Sequence, residues 1–122
     1  MNSMQQPIAG EPSYGTPHPH YKEYVTASFT INGATHALDL SAEFPRGTNA
    51  IYGLMIIRGN AAGLAGIIFG ADYRSDILQY TQGNAQYITA TGIVPLYGAR
   101  LINYFFSAAL DFAYLRIYYY YI

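Results

Sequence analysis

The sequence predicts an all-β fold, an antiparallel β-sandwich of about eight strands, on three observations. Apolar and aromatic residues recur in short runs with a period of two. Turns rich in glycine, proline and asparagine separate these runs at short intervals. Several runs in the second half are apolar on both faces, and such strands need cover on both sides. A jelly roll is one arrangement that this strand count allows, while the pattern alone leaves the strand order open.

Composition points to one domain that associates with other proteins. The chain has 122 residues, of which 11% are charged, against about 25% in average soluble proteins. Its formal net charge of -1 provides no attraction for nucleic acid or for an anionic membrane, and little repulsion between copies. Fourteen tyrosines and six phenylalanines suit either an aromatic core or a subunit interface, and both interpretations stay open.

Residues 1–21 hold four of the six prolines and are predicted to form an extended arm outside a sandwich domain of residues 22–122. Each proline removes a backbone donor and fixes φ, which disfavours helix and central strand. We expect the arm to be disordered in the free chain or to gain order on a neighbouring protein. Its candidate interface residues are Ile8, Tyr14 and Tyr21.

Strands are predicted from the alternating segments and the turns between them. Residues 24–31 and 36–40 flank Asn32-Gly33, a dipeptide typical of type I′ turns, and this predicts a hairpin. A second hairpin is expected within residues 50–71. The later strands are predicted at 50–57, 64–70, 77–81, 87–94, 101–107 and 114–122.

The last predicted strand is apolar or aromatic on both faces. Alternation places Leu115, Ile117, Tyr119 and Tyr121 on one face, and Arg116, Tyr118, Tyr120 and Ile122 on the other. Such a strand must be covered by a second sheet or by a neighbouring subunit. We therefore predict that Tyr118, Tyr119, Tyr120 and Tyr121 form a subunit interface. The predicted core comprises Phe29, Leu38, Leu40, Leu54, Ile56, Ile68, Ile102, Phe105 and Ile117.

No motif in the sequence predicts an enzyme, a cofactor or a metal site. The absence of cysteine excludes disulfides, thiolate zinc sites and a cysteine nucleophile. His18 and His20 have no third ligand near them in sequence. The candidates for acid-base chemistry lie mostly in or beside predicted turns, where solvent exposure explains them; they are Asp39, Glu43, Asp72, Asp76, Asp111 and His36. Arg58-Gly59-Asn60 interrupts the apolar segment 50–71, so no membrane span is predicted.

Several short stretches resemble small β-sandwich virion structural proteins of tailed bacteriophages. They are Leu38-Asp39-Leu40-Ser41, Phe44-Pro45-Arg46-Gly47 before the apolar strand from Ala50, Val94-Pro95-Leu96, Arg100-Leu101-Ile102-Asn103-Tyr104 and Arg116-Ile117-Tyr118. The resemblance covers residues 38–122 and implies a non-enzymatic virion protein of capsid decoration or of a head or tail fibre. It also implies a homo-oligomer whose N-terminal arm docks onto the major capsid protein or another virion protein. The family has no catalytic residues to transfer, and the tyrosine-rich end matches no motif of the family.

Two other classes of protein fit the same pattern. A carbohydrate-binding module would gather exposed aromatic residues such as Tyr73, Tyr80, Tyr87 or Tyr97 on one loop face or flat sheet. A self-polymerising filament subunit would use the arm to complete a neighbour's sheet by strand addition.

Overall fold

The computed structural model describes residues 14–71 and 75–122, which form two antiparallel sheets of four strands each. The strands are β1 Pro17–Tyr24, β2 Thr35–Asp39, β3 Ala50–Arg58, β4 Ala62–Phe69, β5 Ile77–Gln82, β6 Ile88–Pro95, β7 Leu101–Phe106 and β8 Phe112–Tyr121. Within these residues the helical structure is a single 3₁₀ turn at Thr26–Ser28. The predicted all-β sandwich is therefore confirmed, and strands β3 to β8 begin and end close to the predicted positions.

The strands pair in a nested order. One sheet has the order β1-β8-β3-β6 and the other β2-β7-β4-β5. Strand β1 pairs with β8, β2 with β7, β3 with β6, and β4 with β5. In the described part of the chain, β4 and β5 are the one consecutive pair that lies side by side. The predicted second hairpin within residues 50–71 is therefore wrong, because β3 and β4 belong to opposite sheets.

The core lies between the two sheets and contains one face of each strand. Predicted core residues Phe29, Leu40, Ile68, Ile102 and Ile117 are buried there, and Leu38 packs against them. The prediction is wrong for Leu54, Ile56 and Phe105, which lie on the outer faces while their strand neighbours are buried.

The inward register of β3 depends on a tertiary contact. Because β3 is apolar on both faces, a period of two cannot choose between them. Its inward residues Met55 and Ile57 pack over Gly66 of β4, where a Cβ atom would lie 2.8 Å from Ile57 Cγ2 and 3.1 Å from Met55 Sδ. The missing side chain at Gly66 thus leaves the space that this register needs.

The predicted hairpin around Asn32-Gly33 is also wrong, because residues 25–34 cross from one sheet to the other. The ring of Phe29 is buried with its centroid 5.0 Å from that of Tyr104 and 5.1 Å from that of Phe106. The Thr26 hydroxyl donates to the backbone oxygen of Ala113 at 3.2 Å and accepts from its N–H at 3.1 Å. These contacts stabilise the crossing segment, which therefore does not form a strand of the predicted hairpin.

Residues 17–21, predicted to lie in the arm, belong to β1 and pair with β8 of the same chain. Thr16 and Ile122 exchange both backbone hydrogen bonds, at 2.9 and 3.1 Å. Because bonded and non-bonded pairs alternate in an antiparallel ladder, Pro17 and Pro19 occupy positions whose nitrogen points away from β8. No ladder hydrogen bond is lost, and β1 is an edge strand, where proline is tolerated.

The observed register can be tested by truncating one inward and one outward side chain. Ile117→Ala should lower the free energy of unfolding by about 2–5 kcal/mol, because it leaves a cavity in the core. Leu54→Ala should cost about 1 kcal/mol or less, because a half-exposed side chain leaves no closed cavity. Urea unfolding of both variants measures the difference, and equal costs would contradict the register.

Candidate functional site: an aromatic sheet face

The outer surface of strands β1, β8 and β3 is rich in aromatic and apolar side chains. We call it the tyrosine face and define it by Tyr21 of β1, Tyr52, Leu54 and Ile56 of β3, and Tyr114, Tyr118 and Tyr119 of β8. Tyr52, Leu54, Ile56 and Tyr114 alternate with buried neighbours along their strands. None of the side chains of the face belongs to the core cluster. The face is therefore a surface of the sandwich with the composition of an interior.

An irregularity in β8 creates the densest part of this face. Gly53 of β3 pairs with Ile117, but the preceding residue Tyr52 pairs with Tyr119, so Tyr118 is an extra residue in β8. A bulge of this kind interrupts the alternation of side chains. Tyr118 and Tyr119 consequently share the outer face, where their ring centroids lie 6.5 and 6.2 Å from that of Tyr52.

The bulge also turns Tyr120 towards the interior. Its ring stacks on His18 at 5.0 Å and lies 5.7 Å from Phe44 and 6.0 Å from His20. Tyr120 packs against the core cluster. The predicted alternation placed Tyr118 and Tyr120 on one face and Tyr119 and Tyr121 on the other. It is correct for Tyr118, which shares the face of Arg116, and wrong beyond it.

Three other predicted interface residues, Tyr14, Tyr21 and Tyr121, lie at the same end of the sheet. Tyr21 is 59% exposed and its ring centroid lies 5.7 Å from that of Tyr118. The half-buried Tyr14 lies 6.2 Å from Tyr121, ring to ring. Ile8 falls outside the described residues. Sequence reasoning missed Tyr52, Leu54, Ile56 and Tyr114, although the doubly apolar pattern of β3 and β8 was the signal for them.

The aromatic surface continues to the opposite end of the sheet. The rings of Phe112 and Tyr114 stack with centroids 4.3 Å apart and an interplanar angle of 9°. Tyr87, which is 56% exposed, meets Phe112 edge to face at 4.9 Å. The guanidinium carbon of Arg58 lies 5.0 Å from the centre of the Tyr87 ring. The aromatic contacts thus follow β8 along most of its length.

The charged groups on this face are paired with one another. Arg116 Nε donates to Glu23 Oε2 at 2.9 Å, and Arg58 Nε donates to Asp111 Oδ1 at 2.9 Å. These hydrogen bonds are the main cause that raises the pKa of each arginine above its usual value. Each cation is therefore neutralised by a carboxylate beside it.

The pKa values of two phenols, Tyr21 on the face and Tyr121 beside it, are raised above the ordinary value. Loss of hydration, followed by the negative charge of Glu23, raises the pKa of Tyr21 above 10.0. Burial raises the pKa of Tyr121 in the same direction. These phenols therefore act as neutral hydrogen-bonding groups at the rim of an apolar surface.

The residues considered for acid-base chemistry have separate partners. The Asp39 carboxylate accepts from the Ser41 N–H at 2.8 Å. A hydrogen bond with the Ser41 side chain is the main cause that lowers the pKa of Asp39, and the backbone bond adds to it. His36 Nε2 lies 2.8 Å from the side-chain oxygen of Asn32. Asp111 binds Arg58, as described above, and Asp76 accepts from the Gly70 N–H at 2.9 Å. Asp72 falls outside the described residues. In residues 14–71 and 75–122, no three acidic or histidine side chains group together as ligands for a metal ion.

The tyrosines named for carbohydrate binding occupy different surfaces. Tyr80 is 50% exposed on β5 of the second sheet, whereas Tyr87 contacts the tyrosine face. The Tyr97 hydroxyl donates to Asn103 Oδ1 at 2.5 Å. Tyr73 falls outside the described residues. The second sheet also carries an open cleft of about 230 Å³, lined by Thr35, Ile67, Phe69, Ser75 and Phe105.

Glu43 joins β1 to the loop that follows β2. His20 Nε2 lies 2.5 Å from Glu43 Oε2, and Lys22 Nζ lies 3.6 Å from Glu43 Oε1. The hydrogen bond from His20 is the main cause that lowers the pKa of Glu43 below 4.5, and the positive charge of Lys22 adds to it. The ionised carboxylate therefore stabilises the docking of the edge strand β1.

These observations define an all-β sandwich with an aromatic outer face and a C-terminal strand shared between that face and the core. Comparison with protein-family models, with curated proteins and with solved structures finds no match. Over the two described stretches, no helix is long and apolar enough to cross a membrane.

The pairing of Glu43 predicts a pH dependence of stability. Because folding lowers the pKa of Glu43, its contribution is complete above the unfolded value of about 4.5 and is lost as the pH falls through the lower folded value. Wild type should therefore be more stable than Glu43→Gln at neutral pH, and the difference should shrink below about pH 4.5. Urea unfolding at a series of pH values tests this, and a difference that is independent of pH would contradict it.

Proposed function

We propose that this protein is a non-enzymatic structural subunit of a larger assembly, and that it self-associates through the tyrosine face. The observation that carries the proposal is the cluster of aromatic and apolar side chains on the outside of strands β1, β8 and β3. Large contiguous apolar patches on soluble proteins mark interaction surfaces. Tyrosine suits such a surface because its ring buries a large area while its hydroxyl keeps a hydrogen-bonding partner.

The size of the face suits a small contact. Three strands at a spacing of about 4.8 Å and eight residues at about 3.3 Å give a surface of roughly 14 by 26 Å, about 370 Å². Two such faces would bury about 740 Å², which is less than a single interface of standard size. A symmetric assembly uses several contacts of this kind at once, and area alone does not set the affinity.

Charge favours another copy of this chain as the partner. The arginines of the face are neutralised by Glu23 and Asp111, so a strongly charged partner finds no complementary field there. The formal net charge of -1 leaves little repulsion between copies. A neutral aromatic surface such as the same face on a second copy fits these conditions.

The assembly that we propose is a bacteriophage virion, in which the protein decorates the capsid or contributes to a fibre. The likeness of residues 38–122 to small virion sandwich proteins supports this. The nested pairing of β1 with β8 and β2 with β7 supports it further, since we propose that this arrangement is a jelly roll, an architecture of viral capsid and lectin domains. The major capsid protein or another virion protein is then the second partner. Fold and likeness serve here as analogy, and the tyrosine face is the physical argument.

A carbohydrate-binding module is the second candidate, favoured by the exposed Tyr87 ring beside the stacked pair Phe112 and Tyr114. Flat aromatic surfaces can stack on sugar rings. A glycan array tests this candidate, and binding that is lost in Tyr87→Ser would support it. Strand addition to β1 is disfavoured, because Pro17 and Pro19 provide no donor on its open edge.

The double variant Tyr118→Ser/Tyr119→Ser tests self-association. Wild type should form oligomers whose proportion rises with concentration, and the variant should be monomeric with an unchanged far-UV circular dichroism spectrum. The reason is that both side chains lie outside the core. Sedimentation velocity measures the association.

Two control variants separate association from folding. Tyr80→Ser removes a tyrosine of similar exposure from the second sheet and should leave the oligomers intact. Tyr120→Ser should instead lower the stability of the fold, because Tyr120 packs against the core. Wild type that stays monomeric at high concentration would overturn the proposed function.

A further inference from the structure

We propose that residues 1–13 of one copy bind along the tyrosine face of a second copy, so that the assembly forms by exchange of N-terminal arms. This inference rests on the proposed self-association and names the occupant of the face. It differs from direct packing of one tyrosine face against another, because the contact is then between an arm and a face.

The point where the described chain begins places this segment beside the face. Thr16 and Ile122 exchange the final backbone hydrogen bonds of the β1–β8 ladder. Gly15 has φ +82°, and a Cβ atom there would overlap the carbonyl oxygen of Ile122. The ring of Tyr14 then contacts Tyr121. The preceding residues therefore start at the end of the sheet that carries the densest cluster of tyrosines.

The length of the segment suits a contact with a neighbour. Thirteen residues in a polyproline II conformation span about 40 Å at roughly 3.1 Å per residue. The tyrosine face is about 26 Å long by the strand rise. The segment can thus bridge to a second copy and still run along most of its face.

The chemistry of the segment matches the face. Its sequence is MNSMQQPIAGEPS, in which Glu11 is the one charged side chain. Proline-containing segments dock on aromatic-lined surfaces because their backbone is preorganised and their rings pack against aromatic side chains. Pro7 and Pro12 interrupt a hydrogen-bonded ladder, which favours docking across a face over pairing with an edge strand. Ile8, between these prolines, provides an apolar anchor.

Two full-length variants separate the arm from the face. Pro7→Ser/Ile8→Ser/Pro12→Ser weakens the arm and leaves the face intact, whereas Tyr118→Ser/Tyr119→Ser weakens the face and leaves the arm intact. Each variant alone should associate at least about tenfold more weakly than wild type. The matched control Asn2→Ser/Gln5→Ser/Gln6→Ser changes three polar residues of the same segment and should associate as wild type does.

Mixing the two weakened variants is the decisive experiment. An intact arm from one protein can bind the intact face of the other, so the mixture should form a one-to-one complex in sedimentation velocity. Two faces that pack directly against each other would not be restored by mixing, because one of them is always defective.

The outcomes of these experiments distinguish the exchange of arms from self-association through the tyrosine face. An arm variant that associates like wild type, or a mixture that forms no complex, would overturn the arm exchange and leave self-association through the face standing. Wild type that is monomeric would overturn both. Wild type that is monomeric and whose Tyr118 and Tyr119 resonances shift in the arm variant would show that the segment lies on its own face.

Discussion

The pairing of β8 with β1 on one side and β3 on the other is the constraint on which the rest of the structure depends. Inward residues Leu115 and Ile117 of β8 are fully buried and form part of the core. Its outward residues form the middle of the tyrosine face. The same strand therefore contributes to the stability of the fold and to the surface proposed for association, which explains why both of its faces are apolar or aromatic.

A single extra residue in β8 decides which tyrosines are available. Without the irregularity at Tyr118, simple alternation would send Tyr119 to the interior and Tyr120 to the surface. In β3, opposite this irregularity, close packing leaves no room for a side chain at Gly53. A Cβ atom there would lie 2.9 Å from Leu115 Cδ1 and 3.1 Å from the Arg116 oxygen. The composition of the face is thus set by backbone geometry as much as by residue type.

The edge strand β1 and the β5–β6 side of the sandwich are unfavourable for pairing with a further strand, which favours contacts through the faces. Pro17 and Pro19 remove donors from the open side of β1. On the opposite side the two sheets approach closely, since a Cβ atom at Gly92 of β6 would lie 2.5 Å from the backbone oxygen of Asp76, just before β5. Protected edges reduce uncontrolled strand pairing. An assembly built from this subunit then depends on side chains, which can specify one partner.

Period-two patterns and turn residues were sufficient to predict the sandwich class and the positions of β3 to β8, because both signals are local. They failed at residues 25–34, where burial of Phe29 against β7 outweighs the turn preference of Asn32-Gly33, although the strand predicted at residues 36–40 does form, as β2. They also missed β1, because proline is compatible with a strand only at particular positions of an edge. Of the candidate site, Tyr21, Tyr118 and Tyr119 were named from the sequence as interface residues, whereas Tyr52, the outward position of Tyr119 and the inward turn of Tyr120 were not predicted. The sequence by itself determined which segments are extended and how aromatic they are. The tertiary structure alone decided which strands pair and which face each side chain occupies, because doubly apolar strands satisfy the hydrophobic effect in either register and only packing between distant strands distinguishes the two.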